Sequence, residues 1–340
     1  MAIETPQLEK PTIDGVPLYV NDGLLSPDEV KPLRPCYPSE ALETLRERYA
    51  EDGYVFLKGL LPREDVVSAR GSYFRRLQPC GVVQPGTDPR DGIFNASAGA
   101  GAAAEYPGVG VSAGSAAPAS ANEKLFTELA LKAHTDAWYV GSGEKYGLVN
   151  HPALLLGFVA GFTGWAADTL GIRRTLLRNN TPGNRAIGVH YDQIFLRHGE
   201  PSVLTAWVPI GDVALDGGGL IYLEDGDRLG QKLEAECTEK ARAAGLDDDE
   251  VRNAFNKCMM KSGWLSPDPA VFGRECGRKW LVTAYEAGDV VLHSAHMIHA
   301  STVNHDTQGR IRVGTDLRFV DSSRPWDTRW SNHFTFTDGL

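Results

Sequence analysis

The residues best suited to chemistry lie in the stretch AIGVHYDQIF, where one residue separates His190 from Asp192. On a strand, alternate side chains share a face, so His190 and Asp192 would point together while Tyr191 points away. Imidazole suits iron, copper, nickel or zinc, and a carboxylate adds a hard oxygen donor. With one further His from elsewhere, the pair becomes the two-His, one-carboxylate triad whose open positions mark non-haem Fe(II) oxygenases. An H-x-D triplet alone is short and is commonly structural. The rest of the chain decides its meaning.

Three more histidines, His293, His296 and His299, crowd one bend of GDVVLHSAHMIHASTVNHDTQGRIR. A single buried His is ordinarily a hydrogen-bonded core residue, but a triad needs only one of the three, brought beside His190 by pairing of distant strands. Beyond the bend, Arg310 and Arg312 alternate with Ile311 and Val313. An Arg on a strand usually faces solvent. One that points into a barrel must meet an acid, and its planar set of donors matches a carboxylate of a dicarboxylate cosubstrate.

The elements that must position these residues divide the chain in two. Residues 1–38, rich in Pro, Gly and Asp, read as an irregular arm. Ser39 can cap a helix carrying Leu42, Leu45 and Tyr49, YVFLKGLL reads as a buried strand, and residues 63–77 return to helical spacing with Val66, Val67 and Phe74 inward. Residues 95–122 are Ala-, Gly-, Ser- and Pro-rich, with Tyr106 their one large side chain, and read as a flexible loop able to serve as a cover. The run HPALLLGFVAGFTGWAADTL reads as a core helix. After Gly171 come short strands: RTLLRN, AIGVHYDQIF, SVLTAWVPI, GLIYL, WLVTAY, DVVLHSA and RIRVGTDLRFV. Short strands punctuated by Gly, Pro and Asp suggest a double-sheet jelly roll of the cupin type. The expected class is therefore α+β: a double-stranded β-helix over residues 39–325 with helices packed outside, a charged helical insertion at 228–263 and an aromatic tail at 326–340. The tail, with Trp326, Trp330, Phe334 and Phe336, packs over the barrel or serves a homodimer.

The order of these features resembles the phytanoyl-CoA dioxygenase family of Fe(II)- and 2-oxoglutarate-dependent oxygenases, over roughly residues 40–320. The family's pattern runs from an opening helix and strand to H-x-D, a Trp, an N-G-G-like turn, G-D, H-x-S-x-x-N and Arg. Here these are RERYAEDGYVFLKGLL, His190 and Asp192, Trp207, LDGGGLIYL, Gly288 and Asp289, then His299, Ser301 and Asn304, and finally Arg310. The resemblance implies iron held by His190, Asp192 and His299. It also implies 2-oxoglutarate held by Arg310 and Ser301, with Trp207 lining its pocket and His293 in support. His299 rather than His296 opens the H-x-S-x-x-N pattern. Arg178 and Asn180 are further cosubstrate candidates, and Arg312 and Arg318 are reserve anchors. His134, Trp138, Tyr139 and Lys145 are candidates to approach the pocket from the helical layer. One departure stands out: where the family often has P-G-S-H, this chain reads EDGDRLG, so substrate contacts there are expected to differ.

The implied chemistry is oxidation of a small organic metabolite, with secondary-metabolite biosynthesis as the expected setting, by O2 with release of succinate and carbon dioxide, as hydroxylation or as desaturation or cyclisation. Asp192 disfavours a halide site, because halogenases of this kind place the halide where the carboxylate binds. The rival readings are a silent jelly-roll binding protein and a metal-dependent hydrolase or isomerase on the same ligands. The complete ligand and anchor residues argue against the silent protein, and neither rival needs Arg310. With 34 Lys and Arg against 44 Asp and Glu, the net charge of −10 favours neither nucleic acid nor an anionic membrane surface. The N-terminal stretch lacks a signal-peptide pattern and no apolar run reaches membrane-spanning length, so a cytoplasmic protein is expected. Five cysteines, Cys36, Cys80, Cys237, Cys258 and Cys276, are irregularly spaced without C-x-x-C and read as reduced thiols.

Overall fold

The computed structural model describes residues 13–98, 124–130, 132, 152–251 and 264–332. Most of the 95–122 loop, residues 252–263 of the expected insertion, and His134, Trp138, Tyr139, Lys145, Cys258, Phe334 and Phe336 lie outside them. Within them the strands are β1 (Tyr19–Val20), β2 (Gly23–Leu24), β3 (Val30–Pro32), β4 (Pro35–Cys36), β5 (Tyr54–Leu57), β6 (Thr169–Gly171) and β7 (Leu176–Asn180). They continue with β8 (Leu204–Pro209), β9 (Leu220–Leu223), β10 (Trp280–Val282), β11 (Val290–Ser294), β12 (His299–Ser301) and β13 (Arg312–Asp321). Among the described residues the larger sheet runs β4-β5-β11-β8-β13-β6 with β7 also on β13, and the smaller runs β12-β9-β10-β3. The two form a jelly roll with helices on its outer faces.

Period-two alternation sorts each strand of the larger sheet between two environments. Val55, Leu57, Leu204, Ala206, Val208, Val290, Leu292, Ile311 and Val313 pack outward with Leu45, Val66, Phe74, Leu77, Leu155 and Val159. Those last residues belong to the helices Leu42–Asp52, Arg63–Leu77 and Pro152–Thr163. The alternate residues Tyr54, Phe56, Trp207 and Val291 face inward, where they meet Leu220 and Tyr222 of the smaller sheet. The smaller sheet's outer face, with Ile221, Leu223, Trp280 and Ala300, is covered by Ala270 and, less deeply, by Leu229, Leu233 and Phe272. The strands are thus buried on both faces, which is why they read as nearly continuous apolar runs.

Two expectations differ from what is found. The segment expected to be an irregular arm contributes, from Tyr19 onward, strands β1–β4; β3 pairs in parallel with β10, and β4 with β5. Pro32 and Pro35 disguise these strands in the sequence, and both are tolerated because the pairing lies at sheet edges. AIGVHYDQIF is not a continuous strand. It is extended through Tyr191 and then turns into a 3-10 helix at Asp192–Ile194. The charged segment forms the helix Gly226–Ala243, and the helix Arg63–Leu77 spans the expected residues.

Candidate metal centre

His190 and His299 form a direct antiparallel pair: the His190 N–H donates to the His299 carbonyl at 3.0 Å and the His299 N–H donates back at 2.9 Å. This pairing extends the smaller sheet past β12 and sets the imidazoles 4.2 Å apart, centroid to centroid. Each ring is held by the carbonyl two residues before it, His190 Nδ1 by Gly188 and His299 Nδ1 by Met297, both at 2.9 Å. A carbonyl only accepts, so each Nδ1 carries the proton and each Nε2 is left as a lone-pair donor, the arrangement a metal ligand needs. Tyr191 points away, its hydroxyl donating to Glu234 at 2.9 Å. Asp192 reaches the same side from the first residue of the 3-10 turn. One ligand atom each from His190, Asp192 and His299 lies within 4.8 Å of the others, and all three residues are buried.

The protonation states suit a cation. Burial, with His299 adding to it, lowers the His190 pKa well below the ordinary value and keeps the ring neutral. Burial alone would raise the Asp192 pKa, but the Arg318 guanidinium and the neighbouring imidazoles outweigh it and hold the carboxyl well below its usual range. Asp192 accepts from Thr205 Oγ1 at 2.5 Å and from Arg318 Nη2 at 3.2 Å. His293 stands 4.9 Å from His299 and 5.5 Å from Tyr222, centroid to centroid. Burial brings its pKa down to about 4, and its Nε2 has no partner among the described residues. His296 is turned elsewhere, 5.8 Å from the Tyr191 ring.

The arginines separate sharply. Arg310 precedes β13, is 26% exposed at its side chain, and is engaged by Asp306 through Nε at 2.8 Å and Nη2 at 2.7 Å. It does not enter the barrel. Arg312 is 3% exposed and lies on the inward face of β13 with Gly314, Asp316 and Arg318. Its Nε donates to the Gly218 carbonyl at 2.8 Å and its Nη1 has no partner among the described residues. Burial draws its pKa down to about 10, so it remains charged at neutral pH.

Around Arg312 lie further unsatisfied or inward groups. Asn180 is its cross-strand partner on β7, and Asn180 Oδ1 is buried and unpartnered among the described residues. Tyr222 Oη is likewise unpartnered there. Gly218, at φ +82°, is required twice over: a Cβ there would lie 2.5 Å from Asn180 Nδ2. Trp207 packs edge-on to Tyr285 at 4.7 Å and leaves no room for a Cβ at Gly314. Arg178, on β7, faces Asp316 at 3.5 Å. Ser301 Oγ accepts the Ile187 N–H at 2.9 Å, and Asn304 Nδ2 donates to the carbonyls of Asn180 and Arg310, both at 2.8 Å. The buried Asp289 accepts from Lys58 and from the Gly59 and Glu286 amides, a joint between the start of β11 and the turn after β5.

Two side chains that hold Asp192 are not read from the sequence in that role: Thr205 is not singled out, and Arg318, named as a reserve cosubstrate anchor, is brought to Asp192 by the pairing of β13 with β8. Two imidazoles whose Nδ1 atoms face backbone carbonyls, an ionised carboxylate and a buried guanidinium with an unused N–H form the donor set that iron and a dicarboxylate require. A family model for phytanoyl-CoA dioxygenase matches residues 49–312. The chain belongs to the phytanoyl-CoA dioxygenase family. It is a non-haem iron, 2-oxoglutarate-dependent enzyme, as the sequence motifs imply, with iron and 2-oxoglutarate as its cofactors.

No curated protein matches the chain. Solved structures similar to it include the non-heme alpha ketoglutarate dependent epimerase SnoN from nogalamycin biosynthesis, at 16% identity and TM-score 0.42, covering 82% of each chain. The carbocyclase SnoK from the same biosynthesis is 15% identical at TM-score 0.45, covering 85% of this chain and 87% of its own. AviO1 from Streptomyces viridochromogenes is 14% identical at TM-score 0.43, with 84% and 97% covered. Likeness this distant identifies no substrate. Among the described residues of this family member, no helix is long and apolar enough to cross a membrane.

Proposed function

We propose that this enzyme oxidises a C–H bond of a small organic metabolite, by hydroxylation or by desaturation or cyclisation, and couples that oxidation to conversion of 2-oxoglutarate and O2 into succinate and carbon dioxide. The observation that carries the reading is the convergence of three buried ligands, His190, Asp192 and His299, together with a buried Arg312 that still has an N–H to give, on the same inward face of β13 as the Arg318 that holds Asp192. When bound, iron with 2-oxoglutarate supplies the oxidising power to break an unactivated C–H bond. The chain's part is positioning. The Gly188 and Met297 carbonyls fix the two imidazoles, and Arg312 takes the cosubstrate carboxylate far from the metal. Arg312 replaces Arg310 in this role, because Asp306 already occupies the Arg310 guanidinium.

Asn180, Trp207 and Tyr222 complete the cosubstrate wall, while Arg178 and Asp316 form a polar patch on the inward face of β7 and β13. Ser301 acts here through its hold on the Ile187 amide, which keeps the strand bearing His190 against β12. A hydrolase or isomerase using the same triad has no need of Arg312. The test is succinate formation from 2-oxoglutarate under air: it should require added Fe(II) and disappear in His190→Ala and His299→Ala. Succinate formation that persists without iron would sink the reading.

A further inference from the structure

Thr205 and Arg318 are direct cross-strand partners between β8 and β13, so their side chains stand together on the inward face of the larger sheet. Both donate to Asp192, but to different oxygens: Thr205 Oγ1 to Oδ2 at 2.5 Å, and Arg318 Nη2 to Oδ1 at 3.2 Å. A guanidinium facing a free carboxylate ordinarily closes two parallel bonds. Here Thr205 holds the second oxygen, and Arg318 Nε and Nη1 have no partner among the described residues. The guanidinium is also fixed from its other side. It stacks on the Trp330 ring at 4.8 Å, it is 2% exposed, and the Ile172 N–H donates to its backbone carbonyl at 2.8 Å.

A carboxylate pinned at both oxygens by two adjacent strands cannot swing freely. One lone pair on each oxygen is taken. A divalent cation arriving between His190 and His299 is repelled by the Arg318 charge beside Oδ1 and meets only a neutral hydroxyl beside Oδ2. We infer that Arg318 is a positioning residue that reserves Oδ1 of Asp192 and leaves Oδ2 alone to the metal, so that the carboxylate fills one coordination position and not two. A facial triad works by leaving positions open. A carboxylate that chelated through both oxygens would take one of the positions that 2-oxoglutarate uses. The inference rests on the triad proposed above.

The full-length protein, titrated with Co(II) and then with 2-oxoglutarate by calorimetry and visible absorption, tests it. In Arg318→Met, Co(II) binding should stay within tenfold of wild type. The Co(II) absorption bands should change shape before any 2-oxoglutarate is added, and 2-oxoglutarate should bind at least tenfold more weakly. Arg318→Lys, which keeps a cation beside Oδ1, should recover the wild-type bands and most of that affinity. Thr205→Val frees Oδ2 for Arg318, closes the two-bond pair and should weaken Co(II) at least tenfold, which decides the matter if Arg318→Met does not fold. The inference is overturned by wild-type bands and 2-oxoglutarate affinity in Arg318→Met, by loss of Co(II) in both Arg318 variants, or by unchanged Co(II) affinity in Thr205→Val. A wild-type protein that takes no Co(II), or takes it equally well after His190→Ala, would remove the triad itself and not merely the role of Arg318.

Discussion

Exchanging the two arginines at the start of β13 separates the structural assignment from the motif-based one. Arg312→Met keeps most of the buried stem but removes the guanidinium whose Nη1 is free for a carboxylate. Truncating one partner of a buried, hydrogen-bonded charge pair costs about 2–5 kcal/mol. At 1.4 kcal/mol per tenfold, 2-oxoglutarate affinity should fall roughly 30-fold to roughly 4,000-fold. Arg310→Met instead breaks a partly exposed pair with Asp306, whose carboxylate keeps the Gln308 amide at 2.8 Å. On the present assignment Arg310 does not touch the cosubstrate, so 2-oxoglutarate affinity should stay within about twofold, a change of less than about 0.5 kcal/mol. Calorimetric titration of 2-oxoglutarate into the Mn(II)-loaded protein reads both. Arg312→Met also orphans the Gly218 carbonyl, so thermal melting of each variant must accompany the titration. Arg312→Lys, charged but without the planar pair of donors, should fall between wild type and Arg312→Met. Loss of binding in Arg310→Met with retention in Arg312→Met would refute the reasoning.

The metal site should be visible in stability: Mn(II) at one hundred times its dissociation constant adds about 2.7 kcal/mol, so it should raise the melting temperature of wild type and leave His299→Ala unmoved. Arg70 is buried and donates to four backbone carbonyls, those of Arg90, Ile210, Asp91 and Ile311, at 2.8–3.0 Å. Arg70→Met should therefore destabilise the fold by about 3 kcal/mol or more, seen in urea melts, since each orphaned buried acceptor costs about 1–3 kcal/mol. Asp212 is paired with Arg63 through two 2.6 Å bonds, and that pairing lowers its pKa below 3.8. With the folded pKa depressed, its contribution is present above the unfolded value near 3.8 and is lost as pH falls through the folded one. Asp212→Asn should flatten the acid limb of the stability curve below about pH 4 without affecting 2-oxoglutarate binding. Gly314→Val forces a side chain against Trp207, since a Cβ would lie 2.9 Å from its Nε1. It should weaken 2-oxoglutarate binding with a shift in tryptophan fluorescence, and unchanged fluorescence would count against that packing.

What could be read from the sequence, and what could not, follows from how far each signal reaches along the chain. The apolar runs around Trp207, Ile221 and Val291 carry the jelly roll openly because both faces of those strands are buried. His299 could be chosen over His296 because its motif extends to Ser301 and Asn304, and those residues hold the Ile187 amide and the Asn180 carbonyl in place. The anchor was harder. Arg310 and Arg312 have the same parity, so strand alternation cannot tell them apart; the turn at Gly309, with φ +72°, and the carboxylate of Asp306 decide which one enters the barrel. Thr205 leaves no local trace, and Arg318 is legible only as a reserve anchor for the cosubstrate, since the contact of each with Asp192 comes from the register of β8 on β13. Motif reading therefore finds residues that bind through local geometry, while the groups that set how Asp192 presents its oxygens belong to strand pairing, and a substitution that shifted that register by one residue would turn both donors away from the metal ligand.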